Sequence, residues 1–74
     1  MPKFLFDCGN TRIKFALFTE GQGLSQHQFI DYSVLPSFVR KLFERYPMPD
    51  EIKISSVTKH ERLSALLENI QEFT

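Results

Sequence analysis

The hydrophobic period of this sequence changes at Ser33, and that change limits the folds that the chain can adopt. Before Ser33, three large apolar residues follow one another within Lys3–Asp7, and Arg12–Thr19 alternates between apolar and other residues. Both patterns are typical of β-strands, in which successive side chains point to opposite faces. After Ser33, apolar residues recur at helical spacing from Leu35 to Tyr46. The sequence therefore predicts strands first and a helix after them.

Turn residues and helix stops divide the middle of the chain. Glu20–Gly23 predicts a turn, and Leu24–Asp31 predicts a third strand whose polar residues suit the edge of a sheet. Pro47 stops the helix, because proline lacks the N–H group that a helix interior requires. Glu51–Val57 alternates again and predicts a fourth strand. Since this strand follows a helix, we expect it to lie parallel to an earlier strand through a right-handed crossover.

The last segment predicts a second helix. Thr58 and Glu61 have the spacing of a capping box. An apolar stripe follows at helical spacing and consists of Leu63, Leu66, Leu67, Ile70 and Phe73. The predicted order is β-β-β-α-β-α, an α/β fold with a mixed sheet. Because two helices leave part of such a sheet uncovered, we expect a second half of the domain or a second copy of the chain to complete it.

Composition and charge exclude several classes of function. The chain is 42% hydrophobic and 24% charged, which is typical of a folded globular protein. Nine Lys and Arg residues balance nine Asp and Glu residues, so we expect no nucleic acid partner. The single cysteine, Cys8, favours a reducing compartment. No apolar run approaches the roughly 18 residues of a membrane span, and no signal peptide is visible. We therefore expect a cytoplasmic protein without a membrane partner.

The segment from Asp7 to Lys14 carries the residues best suited to binding phosphate and a metal ion. Asp7 stands at the end of a predicted buried strand, which would fix the position of its carboxylate. Gly9 lets the backbone approach a ligand closely, because it has no Cβ atom. Asn10 and Thr11 add short hydrogen-bond donors, and Lys14 adds a positive charge. The alternative is an ordinary hairpin turn, and composition alone favours that interpretation.

Other reactive side chains have both a structural and a functional interpretation. Cys8 lacks a neighbouring group that would activate its thiol, so we expect it to be packed in the interior. Ser55 and Ser56 would contact a ligand or belong to a polar loop, and the sequence leaves both alternatives open. His27 and His60 have no second ligand or nucleophile at a useful spacing, which predicts that both are surface residues.

The segment Phe-Leu-Phe-Asp-Cys-Gly-Asn-Thr-Arg-Ile-Lys-Phe-Ala-Leu-Phe resembles the N-terminus of type III pantothenate kinases. In that family a strand followed by Asp-x-Gly-Asn-Thr-x-x-Lys is the first phosphate motif. The family belongs to the superfamily of sugar kinases, actin and Hsp70, whose first half-domain opens with the same β-β-β-α-β-α order. Ile52–Val57 also resembles the family's next strand and its small-residue loop. The resemblance implies half of an actin-like, ribonuclease H-like ATPase domain.

The activity implied by the resemblance is ATP-dependent phosphorylation of pantothenate, the first committed step towards coenzyme A. The implied enzyme is a cytoplasmic homodimer that uses Mg²⁺, and a monovalent cation is a further expectation. If the roles of the family's motif residues apply to the matching positions of this chain, Asp7 would act near the metal and the phosphates, directly or through water. Gly9, Asn10 and Thr11 would form the phosphate loop, and Lys14 would steady the transferred phosphoryl group.

The resemblance does not supply a general base. Members of the family are several times longer than this chain, and their catalytic aspartate lies in later motifs. We therefore expect residues 1–74 to be an N-terminal phosphate-binding half-domain that is inactive alone and associates with a second half or a second copy. One alternative is a non-catalytic assembly or regulatory module with the same half-fold. A ribonuclease H-like nuclease ranks last, because it needs several acids at two metals and only Asp7 is suitably placed.

Overall fold

A computed structural model describes residues 2–56 and 60–73. Its elements are β1 (Pro2–Cys8), β2 (Arg12–Thr19), β3 (Gly23–Asp31), a 3₁₀ turn (Tyr32–Val34), α1 (Leu35–Arg45), β4 (Glu51–Ser56) and α2 (His60–Gln71). The strands form one sheet in the order β3-β2-β1-β4. β1 pairs antiparallel with β2 and parallel with β4. The predicted α/β class, element order, meander and parallel fourth strand are confirmed.

The boundaries of several elements differ slightly from the prediction. The helix begins at Leu35 after a 3₁₀ turn, and Pro36 occupies its first turn, where the missing N–H group costs nothing. It ends at Arg45, and the N–H group of Tyr46 donates to the Leu42 carbonyl at 2.8 Å.

Three sequence predictions concern parts of the chain outside the described residues. The predicted last residue of β4, Val57, and the predicted capping residue, Thr58, are two of them. The surface position predicted for the His60 side chain is the third. None of the helices in the described ranges is long and apolar enough to cross a membrane.

One face of the sheet carries the hydrophobic core. Phe4, Phe6 and Cys8 of β1 point to this face because they alternate along the strand, and each is at most 2% exposed. The helices cover them through residues that share helical spacing, namely Leu35, Val39, Leu42, Phe43, Leu66 and Ile70. Phe4 lies at the centre, where its ring meets those of Phe15 and Phe43 edge to face. The core therefore lies between this face of the sheet and the two amphipathic helices that cover it.

The opposite face of the sheet carries polar and apolar side chains together. Strand register places Ala16 of β2 opposite Leu5 of β1, and Lys53 of β4 opposite Leu5 on the other side. Two large apolar side chains of β3 remain exposed on the same face, Leu24 at 52% and Phe29 at 60%. β3 and β4 form the two edges of the described sheet, as the polar pattern of β3 predicted. We call this surface the open face.

Cys8 is buried as predicted, and its surroundings disfavour the thiolate. Burial raises the pKa of the Cys8 thiol above its ordinary value, and the negative charge of Asp7 raises it further, whereas a hydrogen bond with Tyr32 lowers it. The thiol therefore holds its proton more tightly in the folded chain than in the unfolded chain. Its contribution to stability is complete below the ordinary thiol pKa and is lost as the pH rises through the raised value.

Alkylation of Cys8 by iodoacetamide is expected to be slow in the native chain and fast in the unfolded chain. The side chain is 0% exposed, and the thiolate is the reacting form. Mass spectrometry of samples quenched at increasing urea concentrations measures the modified fraction, which should follow the unfolding curve. Rapid, stoichiometric alkylation without urea would contradict the buried position of this residue.

Candidate functional site

The open face holds a row of three polar side chains near the carboxyl end of β1. Asp7 lies opposite Lys14 of β2 and opposite Ser55 of β4. Residues opposite each other in neighbouring strands point to the same face, so register alone brings a carboxylate, an ammonium group and a hydroxyl together. The Ser55 hydroxyl donates a hydrogen bond to Asp7 Oδ1 at 3.1 Å. We call these three residues the polar row.

A concave pocket of about 500 Å³ extends from the polar row across the open face. Leu5 and Ala16 lie on its floor, and Leu24, His27 and Lys53 line its rim. Ala16 is only 7% exposed. The pocket lining therefore combines apolar side chains with polar and charged ones. Volumes of this size are typical of small-molecule sites.

The predicted phosphate loop forms the connection between β1 and β2. The N–H group of Gly9 donates to the Arg12 carbonyl at 3.0 Å, and the Tyr32 hydroxyl donates to the Gly9 carbonyl at 2.7 Å. The first hydrogen bond closes the loop on itself and uses the N–H group of Gly9, and the second ties the loop to the 3₁₀ turn after β3. Asn10 and Thr11 are exposed at the tip and do not line the pocket. The structure thus places Asp7 and Lys14 opposite each other on neighbouring strands, with the loop beside them.

Gly9 is required by the loop itself. A Cβ atom added at this position would lie 3.0 Å from the Arg12 carbonyl oxygen, a backbone atom that cannot easily move away. In the structure the atom that approaches Gly9 closely is the Arg12 carbonyl oxygen, and the close approach of a ligand stays a prediction.

Gly9→Ala is expected to lower the free energy of unfolding by about 1–3 kcal/mol, the usual cost of overpacking. Urea denaturation measures the change. Gly21→Ala is a useful comparison, because Gly21 has a φ of +87° and no neighbour near its Cβ position, so its cost comes from backbone conformation alone. An unchanged midpoint for Gly9→Ala would contradict the close contact with Arg12.

The cations of the open face differ in their contacts. The Lys3 ammonium group forms an ion pair with Glu51 at 3.7 Å. The guanidinium group of Arg12 stacks over the Phe29 ring at 4.2 Å from its centre. Among the described residues, Lys14 forms no ion pair. Since Lys14 stands in the polar row, it is the cation best placed to meet an anion there.

The donor set of the polar row suits Mg²⁺ held mainly by a substrate. Residues 2–56 and 60–73 contain no group of three His, Cys, Asp or Glu side chains that would enclose a metal ion. Mg²⁺ is commonly bound by one or two carboxylates together with phosphates and water, and Asp7 supplies one such carboxylate. The residues present therefore fit Mg²⁺ that arrives with a nucleotide.

Sequence reasoning missed two polar residues of the pocket, Lys53 and His27. Lys53 shares a face with Asp7 only because β4 pairs in parallel with β1, and that register cannot be read from β4 alone. His27 is exposed, as predicted, but it also lines the pocket. It does so next to an irregularity in the pairing of β2 with β3, where Gln26 has a φ of +54°. No sequence signal marks this irregularity, because glutamine is not a typical residue at positive φ.

Comparison of the chain with protein-family models, with curated protein sequences and with solved structures finds no match. The four-stranded α/β architecture therefore follows from the structure of this chain alone. The relation to pantothenate kinases depends on the segment from Asp7 to Lys14 and on the order of the elements, and it stays a prediction.

Proposed function

We propose that the chain binds the phosphates of Mg²⁺-bound ATP at the polar row, as the phosphate-binding half of a type III pantothenate kinase. The observation that carries this proposal is the alignment of Asp7, Lys14 and Ser55 on one face at the carboxyl ends of two parallel strands. Ligands of open α/β sheets bind preferentially at such strand ends. A carboxylate for the metal and an ammonium group for the phosphates are two of the recurring parts of a phosphoryl-transfer site.

Each residue of the proposed site has a separate role. Asp7 would bind the metal ion, and the hydrogen bond from Ser55 orients its carboxylate. Lys14 places positive charge against the phosphate oxygens. Asn10 and Thr11, exposed at the loop tip, would donate hydrogen bonds to phosphate oxygens, and Gly9 keeps that loop tight. Bound Mg²⁺ would neutralise phosphate charge, while the protein groups position the nucleotide.

The proposed substrate of the phosphoryl transfer is pantothenate, and the proposed context is coenzyme A synthesis in the cytoplasm. Asp7 is the only carboxylate among the described residues that line the pocket. We assign it to the metal, so no residue here is assigned as the general base. The base and the pantothenate site would come from a second half or from a second copy in a homodimer. We also propose a monovalent cation as a further cofactor of this enzyme.

A titration of the ¹⁵N-labelled chain with Mg²⁺-ATP tests the site. We expect amide signals from Asp7 to Lys14 and at Ser55 to shift at millimolar nucleotide, because the proposed contacts are few and exposed. Signals of α1, on the other face of the sheet, should stay in place. An unchanged spectrum, or shifts confined to α1, would contradict the proposal.

A chimera tests the kinase assignment separately. Residues 1–74 would replace the segment of a type III pantothenate kinase that carries its first phosphate motif. The chimera should phosphorylate pantothenate, and the same chimera with Asp7→Asn should not. A folded chimera that binds Mg²⁺-ATP but lacks activity would restrict the function to nucleotide binding.

The open face favours a second candidate, a non-catalytic module that assembles with another copy of the chain. Leu24 and Phe29 expose apolar surface there, and β3 and β4 are sheet edges. Analytical ultracentrifugation distinguishes the two candidates. A tight dimer that does not bind nucleotide would support the module, whereas a folded monomer that binds Mg²⁺-ATP would exclude it.

A further inference from the structure

We propose that the pocket of the open face also binds a small amphiphilic monoanion, such as a medium-chain carboxylate, with its head between Lys53 and Lys14 and its chain over Leu5 and Ala16. This inference shares Lys14 with the proposed function but does not rest on it, because Lys53, Leu24 and the apolar floor have no part in phosphate binding. It accounts for these residues, which the proposed function leaves unused.

The apolar part of the pocket provides a surface for a hydrocarbon chain. Leu5 is partly buried and Ala16 is buried, and they lie opposite each other in neighbouring strands. Leu24 stands at the rim with 52% of its surface exposed. A chain lying across this floor would remove apolar surface of both partners from water. Each added methylene group should therefore tighten binding by about threefold.

The charges around the pocket favour an anion with a single charge. The charged side chains that line it are Lys14, Lys53 and Asp7, which together carry a net charge of +1. Lys53 forms no ion pair with any residue that the structure describes, whereas Lys3 is paired with Glu51. A monoanion would neutralise the pocket, and an amphiphilic cation would meet two ammonium groups.

The strand arrangement allows both ammonium groups to reach one head group. Lys14 is in β2 and Lys53 is in β4, with β1 between them. Lys14 pairs with Asp7 and Lys53 pairs with Leu5, so their backbones are separated by two strand spacings across the sheet and by two residues along it, about 12 Å in all. Each lysine has a flexible four-carbon stem, so the two can converge above β1. Asp7 accepts a hydrogen bond from Ser55, and this contact keeps its carboxylate at the polar row.

The test is a titration of the ¹⁵N-labelled chain with octanoate below its micelle concentration, without nucleotide or metal. Octanol and octyltrimethylammonium are the matched probes, since they change only the head group. We expect octanoate to shift the amide signals of Leu5, Ala16, Leu24 and Lys53, and to bind at least about tenfold more tightly than either probe. Hexanoate should bind more weakly than octanoate, by about tenfold for two methylene groups.

Two substitutions test the assigned contacts against controls of the same residue type. Lys53→Gln should weaken octanoate binding by about tenfold, the effect of losing one charge-assisted contact. Lys41→Gln, at an exposed position of α1, should leave octanoate binding unchanged. Leu24→Gln should weaken binding, and Leu67→Gln on α2 should not.

Absence of binding, equal binding of octanol, or octanoate binding that is insensitive to Lys53→Gln would each overturn the inference. These outcomes leave the Mg²⁺-ATP titration unaffected, because the probes contain no phosphate and the nucleotide experiment contains no amphiphile. The two proposals can therefore fail independently.

Discussion

Replacing Phe4 with alanine is expected to remove most of the stability of this chain. Phe4 is 0% exposed and its ring lies 5.4 Å from Phe43, 6.1 Å from Phe15 and 6.2 Å from Tyr46, measured between ring centres. Truncating a buried phenylalanine costs about 3–5 kcal/mol. A domain of this length has a total stability of roughly 4–11 kcal/mol. Urea denaturation followed by circular dichroism should therefore show a greatly lowered or absent transition.

Phe29→Ala is the matched control for Phe4→Ala. Phe29 is 60% exposed on the open face, and the guanidinium group of Arg12 stacks over its ring. The loss of an exposed cation–π contact costs about 0.5–1 kcal/mol. Similar losses for the two variants would show that the core does not lie on the Phe4 side of the sheet.

Substitutions in the polar row are expected to have the largest effects on nucleotide binding. At Asp7, the effect on Mg²⁺-ATP binding should be opposite to the effect on the binding of metal-free tripolyphosphate. Lys14→Gln should weaken the binding of both Mg²⁺-ATP and metal-free tripolyphosphate by about tenfold, equivalent to 1.4 kcal/mol. Asp7→Asn should weaken Mg²⁺-ATP binding to a similar extent, because the metal loses its carboxylate. The same substitution should strengthen the binding of metal-free tripolyphosphate, because it removes a repelling negative charge. Calorimetric titration with and without Mg²⁺ measures both effects.

Two exposed residues outside the pocket lining serve as controls for these variants. Lys41→Gln and Asp50→Asn make the same changes of charge at positions that do not line the pocket. Both should bind either ligand like the unsubstituted chain. If Asp7→Asn changed the affinity for both ligands in the same direction, Asp7 would not be the metal ligand.

Much of the fold follows from hydrophobic period and from turn chemistry. Arg12–Thr19 was predicted with its observed bounds, because its alternation begins and ends at turn residues. The start of α1 was less clear. The 3₁₀ turn at Tyr32–Val34 was not predicted, because short helices of this type have no distinct sequence pattern. The exposed positions of β3 were predictable from its polar residues, and they identify an edge strand.

The site was less predictable than the fold, because it depends on strand register. Asp7 and Lys14 fall within one short segment, and the tight hairpin between them brings them opposite each other. Ser55 is 48 residues from Asp7 in sequence, and only the parallel pairing of β4 with β1 places the two side chains within hydrogen-bonding distance. The sequence left Ser55 as either a ligand contact or a loop residue. Its position inside β4 excludes the loop interpretation.

The most direct test of the polar row uses Mn²⁺ in place of Mg²⁺. Paramagnetic Mn²⁺ broadens the signals of nearby amide groups, so a titration with Mn²⁺-ATP locates the metal on the chain. We predict that the strongest broadening occurs at Asp7, its neighbour Cys8 and Ser55, and that Asp7→Asn abolishes it. Broadening centred on α1 or on the turn between β2 and β3, or broadening that persists in Asp7→Asn, would contradict the assignment of this site.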